Sequence, residues 1–349
     1  MNKKNVSIVA LLGIVLLFCI LFFAGFFEKK EAVYRPKIEY IHNEGNTQGT
    51  TYSVTYQQPE GLDLQAKIED RLHKFDTSLS TYIPSSIISR INRNDKSVAT
   101  DFDFETVFNA AQQTAKNTNG AMDITVGPLV KAWGFAFGNK KGAKIPNVND
   151  FLPLVGYNKV RIDNHKFIKD DARILIDVNS IAQGYASDII AQLLQKNGCK
   201  NYMVEIGGEV VCKGCSPSGN KWRIGIDKAV DDTVSTNNGI QAIVELNDGA
   251  LTTAGSYRKF YIKDGKKYAH IINPHTGFPV SHNLLSATVI APTGLMADAY
   301  DTALMVLGVD SALKVCKSVP GLECYLIYVD EKGNNQVVYS DGFKKYLSK

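Results

Sequence analysis

The chain lacks most of the features that classify a protein at a glance. A net charge of +4 over 349 residues is too small to argue for a nucleic-acid partner. Cysteine is scarce, and five of the six lie outside the N-terminal apolar run: Cys199, Cys212, Cys215, Cys316 and Cys324. An odd number cannot all pair. Cys212-Lys-Gly-Cys215 has no second Cys/His pair to make a zinc site and no following helix to make a thioredoxin-like motif. It reads as a hairpin turn with two thiols, whose redox state the residues leave open. No internal repeat is visible, and no break in composition marks a second soluble domain. Nucleotide signatures are missing too. Gly214-x4-Gly219 runs into Asn220-Lys221 where a P-loop needs Gly-Lys-Ser/Thr, and Gly207-Gly208 lacks the remaining glycines of a dinucleotide fingerprint.

What is present begins at the N-terminus. Val6 to Phe27 is uncharged and mostly apolar, long enough for one helix to cross a hydrocarbon core of about 30 Å. Phe22-Phe23-Ala24-Gly25-Phe26-Phe27 is a poor cleavage site, so residues 1–27 are expected to be an uncleaved membrane anchor. Lys3 and Lys4 on one flank face Lys29 and Lys30 on the other, so charge alone barely orients it. Residues 28–44 read as a polar stalk and 45–349 as the soluble domain. With 44% hydrophobic and 21% charged residues, that domain falls in the ordinary globular range.

The body is expected to be α+β, with mostly antiparallel sheets and interspersed helices. Leu64, Ile68, Leu72, Phe75 and Leu79 recur at helical spacing. A second helix is expected from an N-cap at Asp103 to Gly120, a third from near Ser180 to Gly198, and a fourth after a strand at Ala287–Ala291. Further strands are expected at Arg173–Val178, Tyr202–Val211, Trp222–Asp227, Gln241–Leu246, Tyr257–Ile262, Lys267–Ile272 and Cys324–Val329. Asp264-Gly265 is a hairpin signal, and Val230–Gly239 reads as a solvated excursion.

Three stretches carry chemistry. On a helix, Asp298, Asp301 and Thr302 share one face, and two carboxylates at that spacing repel unless a cation lies between them. Their hard oxygens suit Mg²⁺ shared with phosphate and water; the plainer alternative is that Asp298 caps its helix. Asp177-Val-Asn179-Ser180-Ile-Ala182-Gln183-Gly184-Tyr185 runs from a strand into a helix start, a place that suits a phosphate. His270-Ile-Ile-Asn273-Pro-His275-Thr-Gly277 puts two of six histidines in one turn.

Taken in order, these stretches resemble a known family. With Gly49–Val54, Ser80–Arg90, Gly120–Pro128, Trp133–Phe135, Glu205–Glu209 and Ala250–Gly255 they look like the FAD:protein FMN transferases, the ApbE-type flavin transferases. The likeness runs from about residue 45 to about 310.

The resemblance implies an α+β fold that holds FAD and Mg²⁺ and moves FMN onto a threonine of an exported or membrane redox protein, releasing AMP. Carried over by motif, FAD is contacted by Gln48, Tyr82, Ala121, Met122, Asp123, Asp177, Gln183 and Ile272. Metal ligands come from Ser180 or the Ala182 carbonyl with Asp298, Asp301 and Thr302, and His270 is the base. His275 receives no role and is expected to be an exposed turn residue. Two positions depart from the family: Gln183 stands where many relatives carry a charge, and Asn273 replaces a common aspartate. The family's working place puts residues 28–349 outside the cytoplasmic membrane. An FAD pyrophosphatase and a non-catalytic flavin-binding protein are the alternatives.

Overall fold

The computed structural model describes residues 39–136, 145–229, 239–257 and 259–348. The expected anchor, most of the stalk and most of the 230–239 excursion lie outside them. Among the described residues no helix is long and apolar enough to cross a membrane.

In chain order the elements are β1 (Ile41–Thr47), β2 (Thr50–Tyr56), α1 (Gln65–Leu79), α2 (Ile87–Asn92), α3 (Phe102–Asn117), α4 (Gly127–Ala132), β3 (Val160–Asp163), β4 (Lys166–Lys169) and α5 (Ala182–Lys196). There follow β5 (Tyr202–Ile206), β6 (Glu209–Lys213), β7 (Trp222–Asp227), β8 (Ile240–Leu246), β9 (Asp248–Gly255), β10 (Phe260–Lys263), β11 (Lys266–Ala269), β12 (Leu284–Ala291), α6 (Gly294–Leu307), α7 (Val309–Ser318), β13 (Glu323–Val329) and β14 (Asn335–Tyr339). The architecture is α+β. One eight-stranded sheet runs β1-β2-β5-β6-β9-β12-β13-β14, antiparallel at every pairing, with β3-β4, β7-β8 and β10-β11 as separate hairpins.

Strand alternation sends side chains to two cores. Val54, Val204, Val289 and Leu326 join the helices on one face, in the larger core with α1, α3, α5 and α6. Val210, Leu251, Ile290 and Ile327 face the other way, where β7, β8 and Phe343 cover them. Both faces of the central strands are buried, which is why β12 reads as a nearly continuous apolar run.

Several boundaries differ from the sequence reading. Tyr202–Val211 is not one strand: it folds back at Gly207-Gly208 into paired β5 and β6. Arg173–Val178 joins no ladder; the Asn92 side chain takes the Ile176 N–H (2.7 Å) and donates to the Ile176 carbonyl (2.9 Å) in place of a neighbouring strand. The strand expected at Tyr257–Ile262 lies at Phe260–Lys263. Asp101, not Asp103, caps α3 by accepting from Phe104 N, while Asp103 pairs with Arg71 at 2.7 Å. The Cys212–Cys215 connection leads from one sheet to another instead of closing a hairpin, and both thiols are free, Cys212 buried and Cys215 exposed. Burial pushes the Cys212 thiol up to about 12.

Candidate active site

The site starts where two helices almost touch. A Cβ on Gly184 of α5 would lie 2.1 Å from the Gly294 carbonyl oxygen of α6, and one on Gly294 would lie 2.3 Å from the Gly184 carbonyl. Only glycine permits that approach. The approach lets each helix cap the other. Asp188 of α5 accepts from the N–H groups of Gly294 and Leu295 at the start of α6, both at 2.8 Å. Asp298 of α6 accepts from Gly184 N in the first turn of α5, also at 2.8 Å. A carboxylate at a helix N-terminus meets unpaired donors and the positive end of the dipole. The helix that carries Asp298 is capped by Thr293, whose hydroxyl accepts from Met296 N. Asp298 therefore caps the neighbouring helix and not its own.

Electrostatically the crossing is unfavourable as it stands. Asp298 and Asp301 are 5% and 2% exposed. Burial pushes the Asp298 carboxyl up to about 7, with the Asp188 charge adding to the rise and the Gly184 N–H opposing it. Asp301 is raised as well, first by burial and then by the charge on Asp298. The Thr302 hydroxyl donates to Asp301 Oδ1 at 3.3 Å. Two buried carboxylates and a hydroxyl on one helix face are a hard-oxygen set that a small divalent cation would neutralise, and they fit Mg²⁺. Among the described residues no group of three or more His, Cys, Asp or Glu could hold a metal ion. A cation here would need hydroxyl, carbonyl, phosphate or water oxygens to complete its shell.

Thr302 also lines a cavity of about 260 Å³. Eleven other residues expected at the site line it with Thr302: Gln48, Tyr82, Ala121, Met122, Asp123, Asp177, Ser180, Ala182, Gln183, His270 and Ile272. Asp298 and Asp301 do not line it; they are buried on the same helix as Thr302.

Local structure explains how these side chains are delivered. Gln48 sits at the β1–β2 turn with φ 51°, a left-handed conformation, and its Nε2 is buried with no hydrogen-bond partner among the described residues. Met122 is both core and cavity wall. Asp123 has an internal partner: its Oδ1 accepts from Thr125 N and Oγ1 at 2.8 and 2.7 Å, and burial still raises its carboxyl. Asp177 accepts from Asn179 N at 2.9 Å and is raised by burial. Ser180 makes no cap, since α5 begins at Ala182 without a side-chain cap. Gln183 lies against the β5–β6 turn, where a Cβ on Gly207 would come 2.6 Å from its Nε2.

The turn after β11 is held from several sides. Trp133 Nε1 donates to the Gly277 carbonyl at 2.7 Å, and Asn273 Oδ1 accepts from His275 N at 2.9 Å. An asparagine oxygen makes that local turn as an aspartate would, so the departure at Asn273 keeps the backbone form. His270 donates both its backbone N–H and its Nδ1–H to the Lys259 carbonyl at 3.0 Å, an acceptor-only partner. In the neutral ring the proton is thus assigned to Nδ1, and Nε2 carries the lone pair. His275 is exposed, and its ring packs over Gly120 outside the cavity wall.

Sequence reasoning gave no site role to other parts of the wall, notably Phe75, Asp76 and Lys259. Asp76 had a signal: it interrupts the apolar stripe between Phe75 and Leu79. One of its oxygens is buried without a hydrogen-bond partner among the described residues, and burial raises its carboxyl.

Comparison with known proteins agrees with this geometry. Residues 48–326 match the ApbE family. The chain is 36% identical over 318 residues to an FAD:protein FMN transferase of Salmonella typhimurium, covering 87% of this chain and 86% of that protein. It is 35% identical over 322 residues to one of Vibrio cholerae, covering 89% and 94%. The fold superimposes on the flavin transferase ApbE from Vibrio cholerae with a TM-score of 0.79 at 34% identity, covering 88% of this chain and 99% of that one. The apo flavinyl transferase ApbE of Pseudomonas stutzeri gives 0.79 at 30% identity, covering 89% and 98%. With its motifs in one cavity and residues 48–326 matched by the family, the chain belongs to the ApbE family of FAD:protein FMN transferases.

Proposed function

We propose that this flavin transferase moves FMN from FAD onto a threonine of an exported or membrane-bound redox protein, with Mg²⁺, and releases AMP. The observation that carries the reading is the convergence in one cavity of His270, the Asp177–Gln183 segment and the Thr302 end of the buried carboxylate face. Gln48, Tyr82, Ala121, Met122, Asp123, Asp177, Gln183 and Ile272 then hold the dinucleotide. Ser180 or the Ala182 carbonyl, Asp298, Asp301 and Thr302 would hold the cation, which would supply charge neutralisation for the pyrophosphate.

His270 Nε2 takes the proton of the threonine hydroxyl as its oxygen bonds the phosphorus nearest riboflavin. The bond from that phosphorus to the bridging oxygen breaks, and the oxygen leaves with AMP. The Lys259 carbonyl fixes the ring tautomer and its aim. With residues 1–27 taken as an anchor, the family's working place argues for a domain outside the cytoplasmic membrane, where such acceptors are exposed.

Water in place of threonine would make the same site an FAD pyrophosphatase. The test is to mix the full chain with FAD, Mg²⁺ and a protein carrying a threonine flavinylation site, and to follow intact mass together with AMP. An FMN-sized gain on the acceptor that matches AMP release supports transfer. AMP and free FMN without labelling would replace this reading with hydrolysis. A reporter fused after Lys349 tests topology: a cytoplasmic signal would refute the proposed orientation.

A further inference from the structure

Residues 258–267 hold five cations, Arg258, Lys259, Lys263, Lys266 and Lys267, against one anion, Asp264. That local excess of +4 equals the net charge of the whole chain. Phe260, Tyr261 and Tyr268 are interleaved with these cations. β10 and β11 form a sheet of their own, joined at Asp264-Gly265, and the register sets Lys263 directly opposite Lys266. Like charges directly opposed weaken a hairpin. Packed rings tie the hairpin down: Tyr261 stacks on Tyr268, and Phe135 on Tyr261 and Trp133 on Tyr268 are tilted, each pair at 5.4 Å. Ile262 is 68% exposed.

Beside the hairpin lies a second cavity of about 410 Å³, with Lys266, Lys267, Phe278, Pro279 and His282 in its wall. The 270–277 turn stands between the two cavities. His270 and Pro274 line the first, while Asn273 and Thr276 line the second.

We infer that the β10–β11 hairpin and its groove dock the acceptor through an acidic segment next to the modified hydroxyl. The inference rests on the transfer reading above. An acidic strand laid in the groove meets Lys266, with Lys263 paired to it on the same face of the hairpin, on one side and Phe278 and Pro279 on the other. Its hydroxyl residue then crosses the turn to reach His270, one residue beyond the end of β11. That continuity favours an acceptor segment over an anionic lipid surface, which needs no path to His270.

The test uses the full chain in detergent, loaded with FAD and Mg²⁺, and fluorescence anisotropy of short synthetic peptides. Each peptide has one central threonine flanked by aspartates, serines or lysines. The aspartate peptide is expected to bind at least about tenfold more tightly than the lysine peptide. Lys263→Glu with Lys266→Glu is expected to erase or reverse that preference while leaving FAD affinity unchanged. This double reversal keeps a like-charged pair across the hairpin, so the folding cost is matched. Equal binding of the three peptides, no binding, or a preference unchanged in the variant would overturn the inference. So would displacement of the aspartate peptide by short-chain phosphatidylglycerol but not by free polyaspartate. Wild-type labelling of a flavinylatable protein, run alongside, tests transfer separately: its absence counts against the reaction and not against docking.

Discussion

The α5–α6 crossing and the β10–β11 rim are built on opposite principles. At the crossing, glycine backbones touch, carboxylates are buried and each helix caps the other, so a shift of one helix strains hydrogen bonds on both. At the rim, large rings stack and Lys266 and Ile262 are exposed, so contacts are broad and tolerant. The contrast teaches that chemistry on a fixed pyrophosphate needs rigid, desolvated oxygens, whereas recognition of a protein needs exposed area and charge.

The largest expected effect is at the crossing. Asp298→Asn keeps an acceptor for Gly184 N but removes the charge, and acceptor labelling should fall by about 10³-fold while the fold survives. Circular dichroism and flavin fluorescence would show the fold and FAD binding; labelling within a few-fold of wild type would mean that the buried carboxylate is only a cap. At the rim, His270→Gln should slow transfer by about 10²-fold or more with FAD affinity retained, read from single-turnover AMP release.

A pair of glycine substitutions sharpens the contrast in stability. Gly184→Ala meets the Gly294 carbonyl and should cost about 3 kcal/mol in denaturant unfolding. Gly265→Ala meets nothing within 4 Å but keeps φ 73°, and should cost about 1 kcal/mol. Equal costs would refute the claim that the crossing is the tighter region.

The pH dependence has a definite sign. Asp298, Asp301 and Asp188 all hold their protons more tightly folded than unfolded, mainly because they are buried. Their contribution to stability is full below the ordinary carboxylate range, at 3.8, and is lost as pH rises through about 7 for Asp298 and about 6 for Asp188. A cation needs the charged form, so Mg²⁺ should raise Tm more at about pH 8 than at about pH 5.5. An equal shift at both would argue against binding by these carboxylates. The smallest effect is expected for Trp133→Phe, which loses the bond to the Gly277 carbonyl and should cost about 1 kcal/mol while raising KM for the acceptor more than for FAD.

Much of this was legible in the residues. Helical spacing placed α1, strand alternation placed most of the sheet, and Asp264-Gly265 marked its hairpin. The motifs named most of the cavity wall, because a nucleotide site reuses the same short turns in the same order. The strand expected at Arg173–Val178 failed for a reason no local pattern carries: its backbone partner is the Asn92 side chain, 84 residues away from Ile176. Asp76 was missed because a single carboxylate on an apolar stripe is common on helix shoulders.

By itself, then, the sequence determined the α+β class, the order of the elements and the chemical types gathered at the site. Periodicity and turn chemistry are local, and they act within a few residues. Only the tertiary structure decided that Asp298 caps its neighbour and Asp188 returns the favour, that Asp123 is satisfied by Thr125, and that one turn divides two cavities. Those facts depend on which backbones approach closely enough to share a hydrogen bond, and burial then sets the charge each carboxylate can bear.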